Sequence, residues 1–385
     1  MKWLVPLADL DFDEKEIETV TDVLRSKWLT MGQVTQSFEC RFADYVGVKH
    51  AVAVANCTAA LHLANAVLDI GPGAEVILPS LSFVATANAV LYTGATPTFA
   101  DITSLENLNI SPRAIERHIN QRTRAVTVMH YGGYPCAMGE ITKIARQHNL
   151  AVIEDAAHAP GASINSKMVG TFGDVGCFSF FSNKNLATGE GGMIVTDRDD
   201  LAEKLRIIRS HGMTTLTWDR DRGHAHSYDV VDLGYNYRID EMRSALGLVQ
   251  LEKLAQNNER RRELTAEYRR WLADVSGLLV PFSQHSGTSA CHLFPILLDS
   301  EIDRRSFIEG MRDQGIQISI HYPPIHQFSY YQERFGNRVG TLPLTEAVGF
   351  REVTLPLHPG MTVQDVKTVV DALRLVIDKD TNIIN

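Results

Sequence analysis

Two side chains in the middle of the chain have the types and the placement needed for amine chemistry on a carbonyl group. Asp155 follows Ile153 and Glu154 at the end of an apolar run that is typical of a buried strand. Lys184 lies further on, between a second apolar run and the Gly-rich segment 189–192. Open α/β sheets hold ligands at the carboxyl ends of their strands, so Asp155 has the position of a ligand-binding residue. A helix-capping aspartate and a solvated lysine are the ordinary alternatives.

Taken together, Asp155 and Lys184 supply two groups that pyridoxal 5′-phosphate (PLP) requires. A lysine amine joins the aldehyde of this cofactor as a Schiff base, and a carboxylate keeps the pyridine nitrogen protonated so that the ring withdraws electrons. A phosphate site is predicted at Asn56-Cys57-Thr58, between a strand and a helix, where amides, the Thr58 hydroxyl and the helix dipole can hold an anion. An ordinary N-cap is the alternative there.

The elements that must position these residues alternate between short apolar runs and amphipathic segments. This alternation predicts parallel βαβ units, and two later runs, 177–181 and 193–196, are expected to join the same sheet. One helix, which begins with a capping box at Asp13 and Glu16, is expected before the first strand. The other predicted strands are 51–55, 76–78, 125–129 and 150–153, and the helices between them are 59–68 and 141–146.

A long helical pattern, 240–271, separates these units from a second group of elements. Strands are predicted there at 293–298 and 316–320, and helices at 304–313 and 363–377. A chain of 385 residues can fill two cores. We therefore expect an α/β fold with a large domain over residues 1–250, built on a mostly parallel sheet flanked by helices, and a smaller C-terminal α+β domain over residues 251–385.

Composition and charge argue against a nucleic-acid-binding, secreted or membrane protein. The formal charge of −9 and the pI near 5.9 give no long-range attraction to nucleic acid or to an anionic membrane. The first residues have no apolar run of signal-peptide length, and no 18-residue apolar stretch follows, so a cytoplasmic protein is expected. The five cysteines are scattered without a Cys-x-x-Cys pair, which argues against a metal site or a disulfide framework.

Longer motifs around these residues resemble those of the DegT/StrS-type nucleotide-sugar aminotransferases, which are fold type I PLP enzymes. The similarity extends over nearly the whole chain. It rests on residues 152–159 (VIEDAAHA), Gly173-Asp174, residues 178–184, residues 189–192 (GEGG), residues 234–238 (GYNYR) and residues 321–326 (HYPPIH), together with Thr30, Gly32 and the turn at Thr58.

The resemblance implies a role for each matching residue at the cofactor. Lys184 is implied as the Schiff-base lysine and Asp155 as the partner of the pyridine nitrogen. His158 is implied beside the ring or its 3-hydroxyl. Cys57 stands where relatives usually have glycine or serine, which implies a slightly rearranged phosphate site. The remaining cofactor residues implied are Ser179 and Thr58 at the phosphate, Phe83 stacked on the ring, and Asn236, which would reach the phosphate of a neighbouring subunit in a homodimer.

On the substrate side, the resemblance implies Thr30, Gly32, Arg238 and His321. Arg220 and Arg222 are alternative partners for a diphosphate, although charged loop residues are usually solvated. The activity implied is PLP-dependent transfer of an amino group, with pyridoxamine phosphate as intermediate, from an amino acid such as L-glutamate to a keto sugar. A nucleotide-linked 3- or 4-keto sugar, for amino-sugar, surface-polysaccharide or secondary-metabolite biosynthesis, is the favoured acceptor.

Three other functions remain open at this point. Sugar dehydratases of the same fold usually carry histidine in place of the lysine, whereas this chain has Lys184. A catalytically silent PLP-binding sensor would be expected to have lost the lysine or the aspartate. An aminotransferase that acts on a keto-cyclitol shares every catalytic residue, so the motifs do not separate it from a sugar aminotransferase.

Overall fold

A seven-stranded sheet organises the first part of the chain in the computed structural model, which describes residues 3–215, 227–336 and 339–383. Its strands are β1 (His50–Val54), β2 (Glu75–Pro79), β3 (Thr96–Ala100), β4 (Thr123–Met129), β5 (Ala151–Asp155), β8 (Val175–Ser179) and β9 (Gly192–Thr196), with a small hairpin of β6 (Ser163–Ile164) and β7 (Lys167–Met168) beside them. The spatial order is β1-β9-β8-β5-β4-β2-β3. Neighbouring strands from β3 to β8 are parallel, and β9 is antiparallel to both β1 and β8. The predicted mostly parallel sheet is confirmed.

Helices cover both faces of this sheet, which explains why its strands are apolar along their whole length. Val52 and Val54 pack with one group of helices, whereas Ala51 and Ala53, which point to the opposite face, pack with Phe38 and Phe42. The connecting helices are α3 (Cys57–Val67), α4 (Ala85–Tyr92), α5 (Pro112–His118), α6 (Met138–Gln147) and α7 (Asp199–Ile208).

Two helices precede the first strand, so the prediction of a single helix was wrong. The first, α1 (Glu14–Ser26), begins at the predicted capping box of Asp13 and Glu16. The second, α2 (Gln33–Val46), follows Gly32, which offers no side-chain cap. Its N-terminal amides are instead capped by Glu241, more than 200 residues away, whose Oε1 lies 2.8 Å from the Gly32 nitrogen. A local sequence pattern cannot reveal a cap of this kind.

The predicted long helix is present as α8 (Glu241–Leu272), with Asp240 as its side-chain cap. Leu251 and Leu254, in its first half, pack in the core that contains Phe38 and Phe42. Leu264, Tyr268 and Leu272, near its end, pack in a separate core around the second sheet. The helix therefore connects the two cores, while the division of the chain at residue 250 stays a prediction.

The second sheet has three antiparallel strands in the order β10-β11-β12. They are β10 (Leu278–Leu279), β11 (Phe294–Leu298) and β12 (Glu352–Leu355), and the helices around them are α9 (Arg304–Asp313), α10 (Ser329–Phe335), α11 (Pro343–Arg351) and α12 (Val363–Ile383). The strand predicted at 316–320 is not a regular strand. Ile316 pairs with Val5 and Ser319 with Thr354 through isolated bridges, because the segment crosses from the N-terminal residues to β12.

None of the helices in the described ranges is both long enough and apolar enough to cross a membrane.

Candidate active site

A cavity of about 440 Å³ lies where the carboxyl ends of the parallel strands meet. β5 ends at Asp155 and β8 ends at Ser179, while the turns after β1 and β2 enter the cavity from the same edge. This is the crevice in which open α/β sheets bind ligands. Eight of the predicted site residues line it: Cys57, Thr58, Phe83, Asp155, His158, Ser179, Lys184 and His321.

Asp155 is a buried carboxylate, 4% exposed, at the floor of the cavity. Its Oδ2 accepts a hydrogen bond of 2.8 Å from the Thr86 hydroxyl, and its Oδ1 accepts one of 3.2 Å from the Ala157 amide. The Thr86 oxygen in turn lies 2.7 Å from the Ser82 hydroxyl, which must be the donor because Thr86 donates to Asp155. Burial raises the pKa of Asp155 above its ordinary value, and these hydrogen bonds oppose the rise.

Lys184 places an amine in the wall of the same cavity. Its Nζ lies 3.4 Å from Nε2 of His292. Burial lowers the pKa of Lys184 to about 8, while the charge of Asp155 acts in the opposite direction. Among the residues that the structure describes, no carboxylate forms an ion pair with this amine. A lysine whose pKa lies this close to neutral has a far larger free-amine fraction than an ordinary lysine, and the free amine can act as a nucleophile.

The predicted phosphate site lies at the N-terminus of α3. Asn56 is the N-cap, because its Oδ1 accepts a hydrogen bond from the Ala59 amide. The Thr58 hydroxyl is therefore not needed as the cap and faces the cavity with Cys57. Burial raises the pKa of the Cys57 thiol well above its ordinary value, so this residue adds no negative charge to the site. An anion would find helix amides and hydroxyls here.

Gly192 allows strand β9 to lie close to the turn at Asn56 and Cys57. A Cβ at this position would lie 2.7 Å from the carbonyl carbon of Asn56 and 2.8 Å from the Cys57 nitrogen. Gly192 begins β9 and pairs with both Val54 and Ser179, so it joins the strands that end at the predicted phosphate site. A larger residue would push the turn out of place.

His158 is held in one tautomer by its two neighbours. The Gly132 amide donates to its Nδ1 over 3.3 Å, so Nε2 carries the hydrogen and donates to the Tyr322 hydroxyl over 2.9 Å. Burial lowers the pKa of His158 well below its ordinary value, which keeps the ring neutral. Its imidazole also stacks near the Tyr322 ring, with 5.9 Å between centroids.

Phe83 and His321 complete the walls. Phe83 is 56% exposed, and its ring centroid lies 5.9 Å from that of Tyr322. His321 Nδ1 lies 2.9 Å from the Thr354 hydroxyl, and burial lowers the pKa of His321 to about 4. An exposed aromatic ring and a neutral imidazole are thus available to a ligand.

The other four predicted residues do not line this cavity. Thr30 forms a bridge with Asp240, and the Gly32 amide donates to Glu241. Asn236 pairs with Ser210, whose hydroxyl also accepts from Arg238. The four residues therefore lie along the start of α8 and the segment before it. Arg220 and Arg222 lie outside the described residues.

Several residues of the site could not be identified from the sequence. Thr86 follows Ser82 at helical spacing, which is the only local signal for that pair. Tyr322 lies in a motif that the sequence already singled out, but nothing there indicated its contact with His158. No local sequence pattern indicated His292, because its contact with Lys184 joins residues 108 positions apart.

Comparison with known proteins gives one consistent result. A profile of the DegT/DnrJ/EryC1/StrS aminotransferase family matches residues 10–374. The spore coat polysaccharide biosynthesis protein SpsC of Bacillus subtilis is 41% identical over 369 residues, which are 94% of this chain and 95% of that protein. The putative sugar aminotransferase Spr1654 from Streptococcus pneumoniae, solved in a PLP form, is similar with a TM-score of 0.90 and 26% identity over 98% of this chain and 99% of that one. DesI, solved in the presence of its TDP-sugar product, has a TM-score of 0.86 and 32% identity over 97% of this chain and 92% of that one.

Proposed function

Because the chain belongs to the DegT/DnrJ/EryC1/StrS aminotransferase family and is a PLP-dependent sugar aminotransferase, we propose that its acceptor is a nucleotide-linked keto sugar and its amino donor L-glutamate. The observation that carries the assignment of residues is that the Lys184 amine and the Asp155 carboxylate line one cavity at the strand ends. The similarity to DesI, which was solved with a TDP-sugar product, supports the nucleotide-linked acceptor.

The residues of the cavity fit PLP. Asp155 is a buried carboxylate with a raised pKa and hydrogen bonds only from neutral donors, so a cationic partner such as a protonated pyridine nitrogen would stabilise its charged form. The Thr58 and Ser179 hydroxyls and the first amides of α3 suit a phosphate. Phe83 offers an exposed aromatic face to the ring.

When bound, PLP supplies an aldehyde that reacts with amines and a ring that withdraws electrons from the bond to be broken. We assign Lys184 as the residue that holds the cofactor covalently through Nζ. Once free, the same Nζ would move a proton to and from the substrate carbon that bears the amino group in each half of the reaction. Its lowered pKa suits both directions, because neither the amine nor the ammonium form is rare near pH 8.

Asp155 and His158 would have different effects on the cofactor ring. Asp155, supported by Thr86, would hold the proton on the ring nitrogen. His158 is neutral and donates through Nε2 to Tyr322, so it would add no charge near the ring. The positive charge would then stay at the ring nitrogen, where it favours electron withdrawal.

The four residues outside the cavity support a homodimer with shared active sites. Asn236 and Arg238 follow a segment in which the residues Val230, Val231 and Leu233 are between 55% and 79% exposed. Adjacent exposed apolar residues of this kind are typical of a protein interface. We propose that this surface, with Thr30 and Gly32 nearby, completes the site of a second copy, where Asn236 of the partner subunit would contact the phosphate.

Substrate recognition would then combine two subunits. His321 faces the cavity of its own chain, and Arg238 of the partner subunit would provide a cation for the nucleotide diphosphate. The name of SpsC, a spore coat polysaccharide biosynthesis protein, supports a role in making a surface polysaccharide.

The first experiment maps the lysine. The purified protein with PLP is reduced with borohydride and digested, and we expect the cofactor mass on the peptide that contains Lys184. Lys184→Ala should lose this label, whereas Lys204→Ala, which changes a surface lysine paired with Asp69, should keep it. Label on another lysine in the wild-type protein would contradict the assignment.

A second experiment tests donor and acceptor. Addition of L-glutamate to the PLP form should replace an absorbance band near about 410–430 nm by one near about 330 nm. TDP-linked 3-keto and 4-keto sugars should then restore the first band, and a keto-cyclitol should not. Restoration by the cyclitol alone would overturn the proposed acceptor, and no response to glutamate would overturn the proposed donor.

A further inference from the structure

We propose that His292 is a positioning residue for the Lys184 amine, and that Asn185 fixes the imidazole tautomer on which this role depends. The proposal rests on the proposed function in one respect, because it concerns the amine that we assign to the cofactor. His292 belongs to the segment before β11, whereas Lys184 follows β8, so the contact joins the two parts of the chain.

The tautomer of His292 follows from a chain of hydrogen bonds that ends on backbone carbonyls. Asn185 Nδ2 lies 2.8 Å from the Ala290 carbonyl oxygen, which can only accept, so the amide orientation of Asn185 is fixed. The same Nδ2 donates to Asn258 Oδ1, and Asn258 Nδ2 donates to the Pro160 carbonyl oxygen, each over 2.8 Å. Both amides therefore have one possible orientation.

Asn185 consequently presents its Oδ1 to His292. The separation from His292 Nδ1 is 2.9 Å, and an amide oxygen can only accept, so Nδ1 must carry a hydrogen. In the neutral ring, Nε2 then has a free lone pair, and this is the atom that lies 3.4 Å from Lys184 Nζ. Lys184 is the donor in that contact.

The surroundings keep the imidazole neutral. His292 is 5% exposed, and its ring packs 4.5 Å, centroid to centroid, from that of His158. The charged or titratable groups that face it are Lys184, His158, Arg261 and His321, and burial together with these neighbours lowers its pKa well below the ordinary value. Besides His292, the titratable groups that face Lys184 are Asp155, Cys57, His158 and His321. A cationic His292 could not accept from the amine.

This contact would restrict the Lys184 side chain when its amine is not bonded to the cofactor. A lysine side chain loses considerable rotamer freedom when it is ordered, so an amine released from the cofactor would otherwise sample many positions. An acceptor on the cavity wall limits these positions and leaves the remaining hydrogens or the lone pair of Nζ directed to the cavity. His292 thus acts through Lys184 and need not touch a substrate.

The tautomer can be measured in the wild-type protein without cofactor. Nitrogen NMR of ¹⁵N-histidine-labelled protein should show a ring with Nδ1 protonated and Nε2 unprotonated between about pH 6 and 8, and His292→Gln identifies the signal by removing it. A His292 ring protonated at Nε2, or at both nitrogens, would overturn the proposal. This measurement involves no PLP, so it can fail or succeed independently of the lysine assignment.

A pair of variants tests the effect on the amine. The pKa of Lys184 is taken from the pH dependence of its reaction with pyridoxal in the cofactor-free protein. His292→Leu removes the acceptor and should move the midpoint about one pH unit lower, because an ammonium donates more strongly than an amine. His292→Gln keeps an acceptor and should restore most of the shift. An unchanged midpoint in a His292→Leu protein whose thermal unfolding shows it to be folded would contradict the proposal.

Discussion

Both hydrogen-bond donors to Asp155 are neutral groups. The Thr86 hydroxyl donates to one of its oxygens over 2.8 Å, and a backbone amide donates to the other over 3.2 Å. Hydrogen bonds to a carboxylate favour its charged form, whereas burial opposes it. The protonation state of Asp155 is therefore a balance that a single hydroxyl group can change.

Replacement of Thr86 by valine should disturb this balance without a change of shape. The loss of a donor to the carboxylate is expected to raise the pKa of Asp155 further, because the Thr86 hydrogen bond favours the charged form. The variant should therefore lose activity, by about tenfold in kcat, most strongly at low pH, and recover as the pH rises and Asp155 ionises. The pH profile of kcat measures this effect.

Thr142→Val provides the matched control. Thr142 is also a buried helical threonine, but its hydroxyl bonds to the Met138 carbonyl and it does not line the cavity. Its variant should keep the wild-type profile. A Thr86→Val enzyme with the same profile as Thr142→Val would show that the hydroxyl does not support Asp155.

The reactivity of Lys184 should follow its lowered pKa. With a pKa of about 8, the free-amine fraction in the cofactor-free protein rises about fivefold between pH 7 and pH 8 and is nearly complete at about pH 9. The rate at which the protein captures PLP, followed by stopped-flow absorbance, should rise and level off in the same way. A rate that continues to increase tenfold per unit above pH 9 would indicate an ordinary lysine.

Local patterns indicated the two proposed cofactor residues more clearly than the residues that contact them. Asp155 lies at a strand end and Lys184 beside a Gly-rich turn, and both positions are visible in the sequence. Thr86 and His292 contact residues far away in the sequence, so no local pattern indicates these contacts.

At the scale of elements, the site depends on how closely β9 approaches the start of α3. Gly192 lies between the end of β1 and β8, and the space for a Cβ is taken by the Asn56-Cys57 peptide at 2.7–2.8 Å. Backbone atoms cannot move aside as a flexible side chain can. The first turn of α3, and with it the proposed phosphate site, must therefore shift if this residue is larger.

Gly192→Ala should accordingly weaken the binding of PLP more than that of pyridoxal, which has no phosphate. We expect a loss of about tenfold or more in PLP affinity, comparable to one misplaced charge-assisted hydrogen bond. Titration of the cofactor-free protein by absorbance or fluorescence measures both affinities.

Gly139→Ala is the control for this change, since a Cβ at Gly139, near the start of α6, meets nothing within 4 Å. This variant should bind both compounds as the wild-type protein does, and alanine should not destabilise the helix. Equal losses for PLP and pyridoxal in Gly192→Ala would argue against a phosphate site at this turn.

The elements that local patterns failed to predict are those that depend on distant partners. α1 and α8 carry their own side-chain caps and were predicted, whereas α2 is capped by Glu241 and was missed. The segment 316–320 has the composition of a strand, but it makes only single bridges with Val5 and with β12. The start of α2 and the pairing of 316–320 both depend on residues far away in the sequence. A short stretch of sequence does not contain these partners.

At the scale of the whole molecule, the predicted site residues fall into two groups. One group lines the cavity around Lys184. In the other group, Asn236 and Arg238 lie close in the sequence to the exposed apolar residues Val230, Val231 and Leu233, whereas Gly32 is buried. In a homodimer with a twofold axis, the interface is the same on both sides. The second group of each subunit would therefore complete the cavity of the other subunit. Two complete sites would result.

Mixing two inactive variants tests this arrangement. Lys184→Ala lacks the amine, and Asn236→Ala lacks the group proposed to reach the partner's phosphate, so each homodimer should have little activity. In a mixed dimer, one site combines the Lys184 of one chain with Asn236 of the partner subunit, and the other site lacks both. Random exchange of equal amounts makes half of the dimers mixed, so about a quarter of the wild-type activity should return. If Asn236 served its own chain instead, neither site of the mixed dimer would be complete and no activity would return.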